Sequence, residues 1–534
     1  MTGLPEISER TLQAAWARAL EDRPEAIAHV DGSDEWTFAQ SYARIGRLAG
    51  GIESLGVGHQ HPVALLLDNS VDFVHLWMAL GLGGQIEVPI STAYKYQFLT
   101  HVLNDSGAQT LVIEDAYVGR LLQVAADLKY LQTVVIHGDP SAADLLRGSY
   151  RVLHFSELEE HGVRDPVPGN PAALLAYMYT SGTTGASKGV MCSHAHAYTY
   201  ASREDDTDPR PRPGDRVLLT LPMFHIGGQW SWVYQALIQQ ATCVIETGFS
   251  VSKFWAIVRE QKITVTGLLG SMAELLWQRP AAADDADNPL EIAVMAPMPS
   301  DRAGFCKRFQ VQASTAYGMS EIGRVMDGPV GSVVGTEAGF RRDCYELRLV
   351  DERGTDMPIG QSGELWVRPV EPLTVMSGYL NRPESNAEMM VDGWLHTGDV
   401  LRCDETGRYY FVDRVKDALR RRGENVSSFE VESVINQHPA VLESAVVAVR
   451  SQLTEDEIRA IIVLREGYEF DPEQLTGFLI ERLPYFMVPR YLETASSLPR
   501  TPTQKVRKFE LRTSELGPDV WDREAAGIRL RSRS

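Results

Sequence analysis

The sequence predicts a layered α/β fold followed by a smaller α+β domain, and three observations carry that expectation. From the N-terminus to about residue 300, short apolar runs alternate with helical stretches, as parallel strands covered by helices require. From about 330 to 412 the runs shorten and are punctuated by Gly, Pro and Asp, the texture of a β-rich subdomain with turns. Beyond Asp413, one helix and two long apolar strands follow each other in an α+β pattern. A chain of 534 residues exceeds one ordinary domain. The best cut falls at 413–417, giving an N-terminal unit over 1–415 and a C-terminal unit over 416–534.

Taken in order, residues 8–29 read as one amphipathic helix with Leu12, Trp16 and Leu20 on a face. Trp36 to Phe38 reads as a strand leading into a helix through Tyr42 and Ile45. The run Pro62 to Leu67 suits a buried parallel strand, and Val71 to Leu82 a helix. Strands are expected at Gln85–Ile90, Thr110–Ile113, Thr133–Ile136, Val217–Thr220 and Thr264–Gly267. In the β-rich stretch they are expected at Tyr345–Val350 and Gly363–Val367. A helix at 429–437 and strands at Ser444–Val449 and Ala460–Leu464 complete the C-terminal unit.

Composition narrows the function. With 51 basic and 71 acidic residues the formal charge is −20, which argues against a nucleic-acid binder. The five cysteines at 192, 243, 306, 344 and 403 form no C-x-x-C pair, so a zinc site or disulfide framework is not expected and a reducing cytoplasm fits. Neither an apolar leader nor a run long enough to span a bilayer is present. Lys is rare, nine against 42 Arg, so a Lys inside a motif carries weight.

One such Lys closes the stretch Tyr179-Thr180-Ser181-Gly182-Thr183-Thr184-Gly185-Ala186-Ser187-Lys188-Gly189. It follows the apolar segment Ala172 to Met178. Glycines let backbone N–H groups turn to an anion, hydroxyls add donors and Lys188 adds charge, which makes a polyphosphate cradle. It is not a Walker A loop, because Lys188 stands three residues after Gly185. The competing reading is a flexible Ser/Thr/Gly linker.

This loop resembles the phosphate-binding signature of the adenylate-forming superfamily, which holds acyl-CoA synthetases, peptide-synthetase adenylation domains and luciferases. Further motifs resemble that family's in its order: Leu221-Pro222-Met223-Phe224-His225, Ala296-Pro297, Tyr317-Gly318-Met319-Ser320-Glu321, Trp394-Leu395-His396-Thr397-Gly398-Asp399, Asp413-Arg414-Val415-Lys416-Asp417, Gly423-Glu424-Asn425, and Leu498-Pro499-Arg500-Thr501-Pro502-Thr503-Gln504-Lys505. Ser187 stands where the family usually has Pro, Met295 where it has Gly, and Gln504 where Gly is common. The texture around Arg422–Ser427 and Phe224–Ile226 is most similar to the carnitine/crotonobetaine-CoA ligase branch.

The resemblance implies a two-step reaction. A small-molecule carboxylate attacks ATP to give acyl-adenylate and pyrophosphate, and a CoA thiol then displaces AMP. It implies a small C-terminal domain that moves between the steps, with Lys416 as hinge. Thr180, Ser181, Gly182, Thr183, Thr184 and Lys188 would cradle phosphates, and Thr184 with Glu321 would hold Mg²⁺. Ala296, Pro297, Tyr317 and Gly318 would form the adenine site, Ser320 would reach the α-phosphate, and Asp399 with Arg414 would hold the ribose. Lys505 would bridge carboxylate and α-phosphate as the adenylation lysine. His225 would line the acyl pocket sterically, with Gln229, Trp230, Gly270 and Gly318 as further substrate contacts. Gly423 would leave room for pantetheine.

Trp230 and Trp232 with Gly267, Gly270, Ser271 and Ala313 predict a broad apolar pocket for a medium-chain, aromatic or bulky polycyclic acid. No acid is evident there for a cationic substrate. The rival reading is a stand-alone adenylation enzyme that loads a carrier protein. Gly227–Trp232 has no Asp for an α-amino group, so an amino-acid substrate is disfavoured. A non-catalytic relative is disfavoured because Glu321, Asp399 and Lys505 are all present. A homodimer is left open.

Overall fold

A computed structural model describes residues 3–530 except 181–186, 204–210, 297, 300, 332–335, 415–418, 422–423, 427, 451–455, 484, 486, 501–505 and 518. The first helix is Leu12–Asp22, shorter than the expected 8–29. The Thr11 hydroxyl accepts from the Ala14 N–H and starts it, and Pro24 follows two residues after its end. The segment behind it becomes a strand, Ile27–Asp31, because its Ala28, His29 and Val30 are buried in a sheet. The next helix, Phe38–Ser54, begins at a reciprocal cap in which Thr37 and Gln40 satisfy each other's backbone N–H groups.

Two seven-stranded sheets form the N-terminal layers. One runs in the order Gln312–Ser314, Ile292–Met295, Val265–Leu268, Arg216–Leu219, Thr242–Ile245, Ile27–Asp31, Asp34–Thr37, parallel apart from its last strand. The other runs Arg151–His154, Thr133–His137, Thr110–Glu114, Pro62–Leu66, Ile86–Pro89, Leu174–Thr180, Lys188–Ser193, again with only the last strand antiparallel. The helix Val71–Gly83 is buried almost all round and belongs to a core that draws on both sheets, which is why its sequence is apolar on every face.

The β-rich region is an eight-stranded antiparallel sheet that starts at Ala316, earlier than the texture change near 330, and ends at Arg414. The C-terminal region holds a four-stranded sheet built on the long strands Val441–Arg450 and Asp456–Leu464, with helices Ser428–Ile435 and Pro472–Arg482 packed into its own core. At the predicted boundary the Asp413 carboxylate accepts from both the backbone N–H and the hydroxyl of Ser428, each at 2.7 Å. The last strand of the large sheet therefore anchors the first helix of the small unit. Among the described residues no helix is long and apolar enough to cross a membrane.

Candidate adenylation site

The Gly-rich loop connects two antiparallel strands, Leu174–Thr180 and Lys188–Ser193, whose ends Thr180 and Lys188 face each other as cross-strand partners. A hairpin, not the strand-to-helix turn of a Walker loop, thus presents this cradle. Its base is braced from outside. His101 bonds the Ser187 carbonyl at 2.7 Å, and the Tyr179 hydroxyl donates to Asp105 at 2.9 Å. Arg382 pairs with the same Asp105 at 3.1 Å. Ser181, Gly182, Thr183 and Thr184 lie outside the described residues, as do Pro297, Lys416, Gly423 and Lys505.

A second element enters from the antiparallel sheet. Tyr317 and Gly318 lie on strand Ala316–Met319, and Ser320 and Glu321 occupy the turn to strand Gly323–Asp327. Both turn residues are buried. Gly318 is required by close packing, since a Cβ there would come within 2.5 Å of the Gly323 carbonyl oxygen. The Tyr317 hydroxyl donates to Asp399 Oδ2 at 2.6 Å, joining residues 82 apart in sequence. Asp399 and Arg414 are direct cross-strand partners on adjacent strands Trp394–Cys403 and Arg408–Arg414. Ala296 ends the strand Ile292–Met295, with its N–H on the Leu268 carbonyl. The hairpin of one parallel sheet and the turn of the antiparallel sheet are joined by one segment, whose Met376 N–H bonds the Glu321 carbonyl and whose Ser377 N–H bonds the Met191 carbonyl.

The Asp399 turn is held by residues that the motifs did not reveal. Gly398 adopts a φ of 68°, which favours glycine. Its N–H donates to Glu364 Oε1 at 3.0 Å, while Glu364 Oε2 accepts from the Trp366 indole at 3.1 Å. That indole stacks on His396 with centroids 3.9 Å apart. The local signal was the two-residue spacing of Glu364 and Trp366 on one strand, and such alternation alone does not distinguish a brace from a solvent face.

The acyl side differs from the expected open pocket. His225 caps the short helix Ile226–Gly228, its Nδ1 accepting from the Gly227 N–H at 3.0 Å. The neutral ring therefore carries its proton on Nε2. Gln229 and Trp230 open a π-helical segment, Gln229–Tyr234, and both are fully buried. Trp230 packs edge-on against His196 and Tyr200. A Cβ on Gly267 would meet the Trp232 indole at 2.2 Å, so the small and large residues interlock instead of facing each other across space. Gly270 begins the helix Gly270–Trp277 and is buried. A cleft of about 330 Å³ lies beside these elements, lined by Asn69, Thr92, Thr220, Phe224 and Ser271 among others. Thr220 lines this cleft, and its buried hydroxyl oxygen has no protein partner. His194, Cys192, Asp284 and Asp285 have structural roles: His194 accepts from the Leu12 N–H, Cys192 is buried, and the two aspartates pair with Arg259 and Arg308.

An acid does reach this region. Glu87, fully buried on strand Ile86–Pro89, accepts from the Gln229 side-chain amide at 2.7 Å. Burial raises its pKa from 4.5 to about 8, against a smaller lowering by the Gln229 bond. The unfolded chain ionises this carboxyl first as pH rises, so folding stability falls between about pH 4.5 and 8 and is level beyond. We expect Glu87→Gln to flatten that fall. Its thermal midpoint should gain on the parent's as pH goes from 5 to 8, by on the order of a few kcal/mol in stability. Parallel melting curves at the two pH values check this, and an unchanged difference would place the titration elsewhere.

The fold is that of adenylate-forming enzymes, and the sequence comparisons agree. The AMP-binding enzyme family profile spans residues 16–380 and the AMP-binding enzyme C-terminal domain profile spans 430–505. The chain belongs to the AMP-binding enzyme family, as its motifs led one to expect. It is 29% identical over 485 residues to the crotonobetaine/carnitine–CoA ligase of Escherichia coli, covering 90% of this chain and 93% of that protein. A Shigella sonnei protein of the same name matches equally over the same span. Among solved structures, the anthranilate CoA ligase AuaEII in complex with anthranoyl-AMP superposes with a TM-score of 0.85 at 23% identity, over 94% of this chain and 96% of that one. The ATP-bound MatB of Rhodopseudomonas palustris gives 0.81 at 25% identity, over 94% and 98%. The acid–thiol ligase class implied by the motifs is the class of these relatives.

Proposed function

We propose that the protein is an ATP-dependent acyl-CoA ligase. A carboxylate and ATP give acyl-adenylate and pyrophosphate; CoA then gives acyl-CoA and AMP. The observation that carries the reading is the Tyr317–Asp399 contact with Arg414 directly across the sheet. Asp399 accepts from the ribose hydroxyls and Tyr317 lays its ring on adenine. Lys188 and the loop Thr180–Thr184 hold the β- and γ-phosphates, with Ser320 on the α-phosphate. Glu321, a buried carboxylate near hydroxyl groups, is an oxygen donor of the kind that suits Mg²⁺, together with Thr184. That ion supplies charge neutralisation to the phosphates when bound. Lys505 orients the attacking carboxylate. His225 shapes the acyl pocket near the 330 Å³ cleft, with Gln229, Trp230, Gly270 and Gly318 about it. The use of ATP and CoA supports a cytoplasmic reaction.

The substrate is a small carboxylic acid. The names of the relatives offer carnitine-like and aromatic acids as first candidates. A panel of both, assayed for pyrophosphate release with and without CoA, tests the reading; release that no acid stimulates would reject it. The acceptor has its own test. Thiolation requires the small unit to present Gly423, with Lys416 taking up the rotation. Gly423→Leu should block acyl-CoA formation by about a hundredfold or more while pyrophosphate exchange continues, because the side chain fills the pantetheine path. Circular dichroism controls for folding. Parent-like thioester formation in the folded variant would remove Gly423 from the tunnel, and transfer only to a carrier protein would favour the rival acceptor.

A further inference from the structure

Glu321 and Lys188 approach the proposed phosphate site from different sheets, and a single side chain lies between them. The Tyr379 hydroxyl donates to Glu321 Oε1 at 2.9 Å. The face of the same ring carries the Lys188 ammonium 4.8 Å from its centroid. Tyr379 is buried, and neither the motifs nor the family comparison assigns it a role.

Its own placement is tightly determined. Residues 377–380 lie along strand Lys188–Ser193 as an added edge. The Ser377 N–H bonds the Met191 carbonyl at 2.8 Å, the Met191 N–H bonds the Gly378 carbonyl at 2.9 Å, and the Leu380 N–H bonds the Gly189 carbonyl at 2.8 Å. Asn386, on helix Pro383–Met389, accepts from the Tyr379 N–H at 2.6 Å and donates to its carbonyl at 3.0 Å. One residue before this edge begins, the Met376 N–H bonds the Glu321 carbonyl at 2.9 Å. The segment is therefore hydrogen-bonded to the backbone of the Lys188 strand and to the backbone of Glu321.

We propose that Tyr379 is a positioning residue for adenylation, setting the Glu321 carboxylate through its hydroxyl and the Lys188 ammonium through its ring. The proposal rests on the reading of Glu321 and Lys188 given above. Each link has a separable chemistry. A hydrogen bond to a charged acceptor fixes the direction of the Glu321 carboxylate. A cation over an aromatic face in a partly desolvated site fixes where the ammonium sits without neutralising it. Phe keeps the second link and removes the first; Leu removes both.

The test is a set of variants assayed for pyrophosphate release, with ATP binding measured separately by calorimetry and folding by thermal melting. Tyr379→Phe should lower the rate constant about tenfold while changing ATP affinity by less than about threefold. Tyr379→Leu should in addition weaken ATP binding by about fivefold. In a Glu321→Gln background, Tyr379→Phe should add no further loss, because the two act through one contact. Should Glu321→Gln prove silent, the site reading itself fails and this inference with it. Should Glu321→Gln be damaging and Tyr379→Phe silent, or the two losses multiply, the positioning role alone is overturned. A parallel fall in rate, affinity and melting temperature in Tyr379→Phe would show a merely structural residue and overturn it too.

Discussion

Lys505→Ala should abolish most of the adenylation half-reaction, by about a hundred- to a thousandfold, the loss typical of removing one preorganised charge-stabilising donor. An anionic carboxylate must approach a polyanionic triphosphate, and a cation between them offsets the repulsion where it is largest. The second half-reaction has no such need, since a thiol attacks a carbonyl already activated by AMP. Thioester formation from synthetic acyl-adenylate should therefore persist at near the parent rate. Pyrophosphate release and thioester formation, measured separately, decide the matter. Equal loss in both would mean that the chain has misfolded or that another of its nine lysines does this work. Lys508 is the near neighbour to exclude. Its ammonium is engaged with Ser428 at 2.6 Å and Glu432 at 2.7 Å inside the small unit.

Asp399→Ala should weaken ATP binding by about ten- to a hundredfold, the cost of losing charge-assisted hydrogen bonds to the ribose. The fold should survive, because the turn is held independently by Glu364 on the Gly398 N–H and by the Thr397 hydroxyl on the Leu365 carbonyl. A stability loss of about 1–2 kcal/mol is expected, since the Tyr317 hydroxyl loses its acceptor at the same time. Calorimetric titration with ATP and a thermal melt measure the two effects. Unchanged ATP affinity would remove Asp399 from the nucleotide site. Asp399→Asn, which retains an acceptor but not the charge, should fall between the two.

Much of the architecture was legible because it is local. The runs at Pro62–Leu67, Thr110–Ile113 and Thr133–Ile136 became neighbouring parallel strands, and Tyr345–Val350 became a strand with the expected bounds. The order of motifs likewise identified the family, since a glycine loop, a turn and an acidic corner each need particular residue types at fixed spacing. The single helix expected over 8–29 did not form as one. Pro24 breaks the helix, and Ala28, His29 and Val30 are buried as a strand between Thr242–Ile245 and Asp34–Thr37. That Gly267 and Trp232 interlock, a Cβ on the first meeting the indole of the second at 2.2 Å, was beyond local reading.

Apolar periodicity, capping residues and motif chemistry are written in residues a few positions apart, so many of the strands and the family were readable from the residues alone. Partnerships between distant residues depend on how separate sheets dock, which no local pattern encodes; the folded chain shows them. It placed Tyr317 on Asp399, turned Gln229 to a protonatable Glu87, and set Tyr379 between Glu321 and Lys188. An isolated Glu in an apolar strand or a Tyr after a Gly has many local explanations. Its role appears only when burial denies it water and the neighbouring sheets supply its partners.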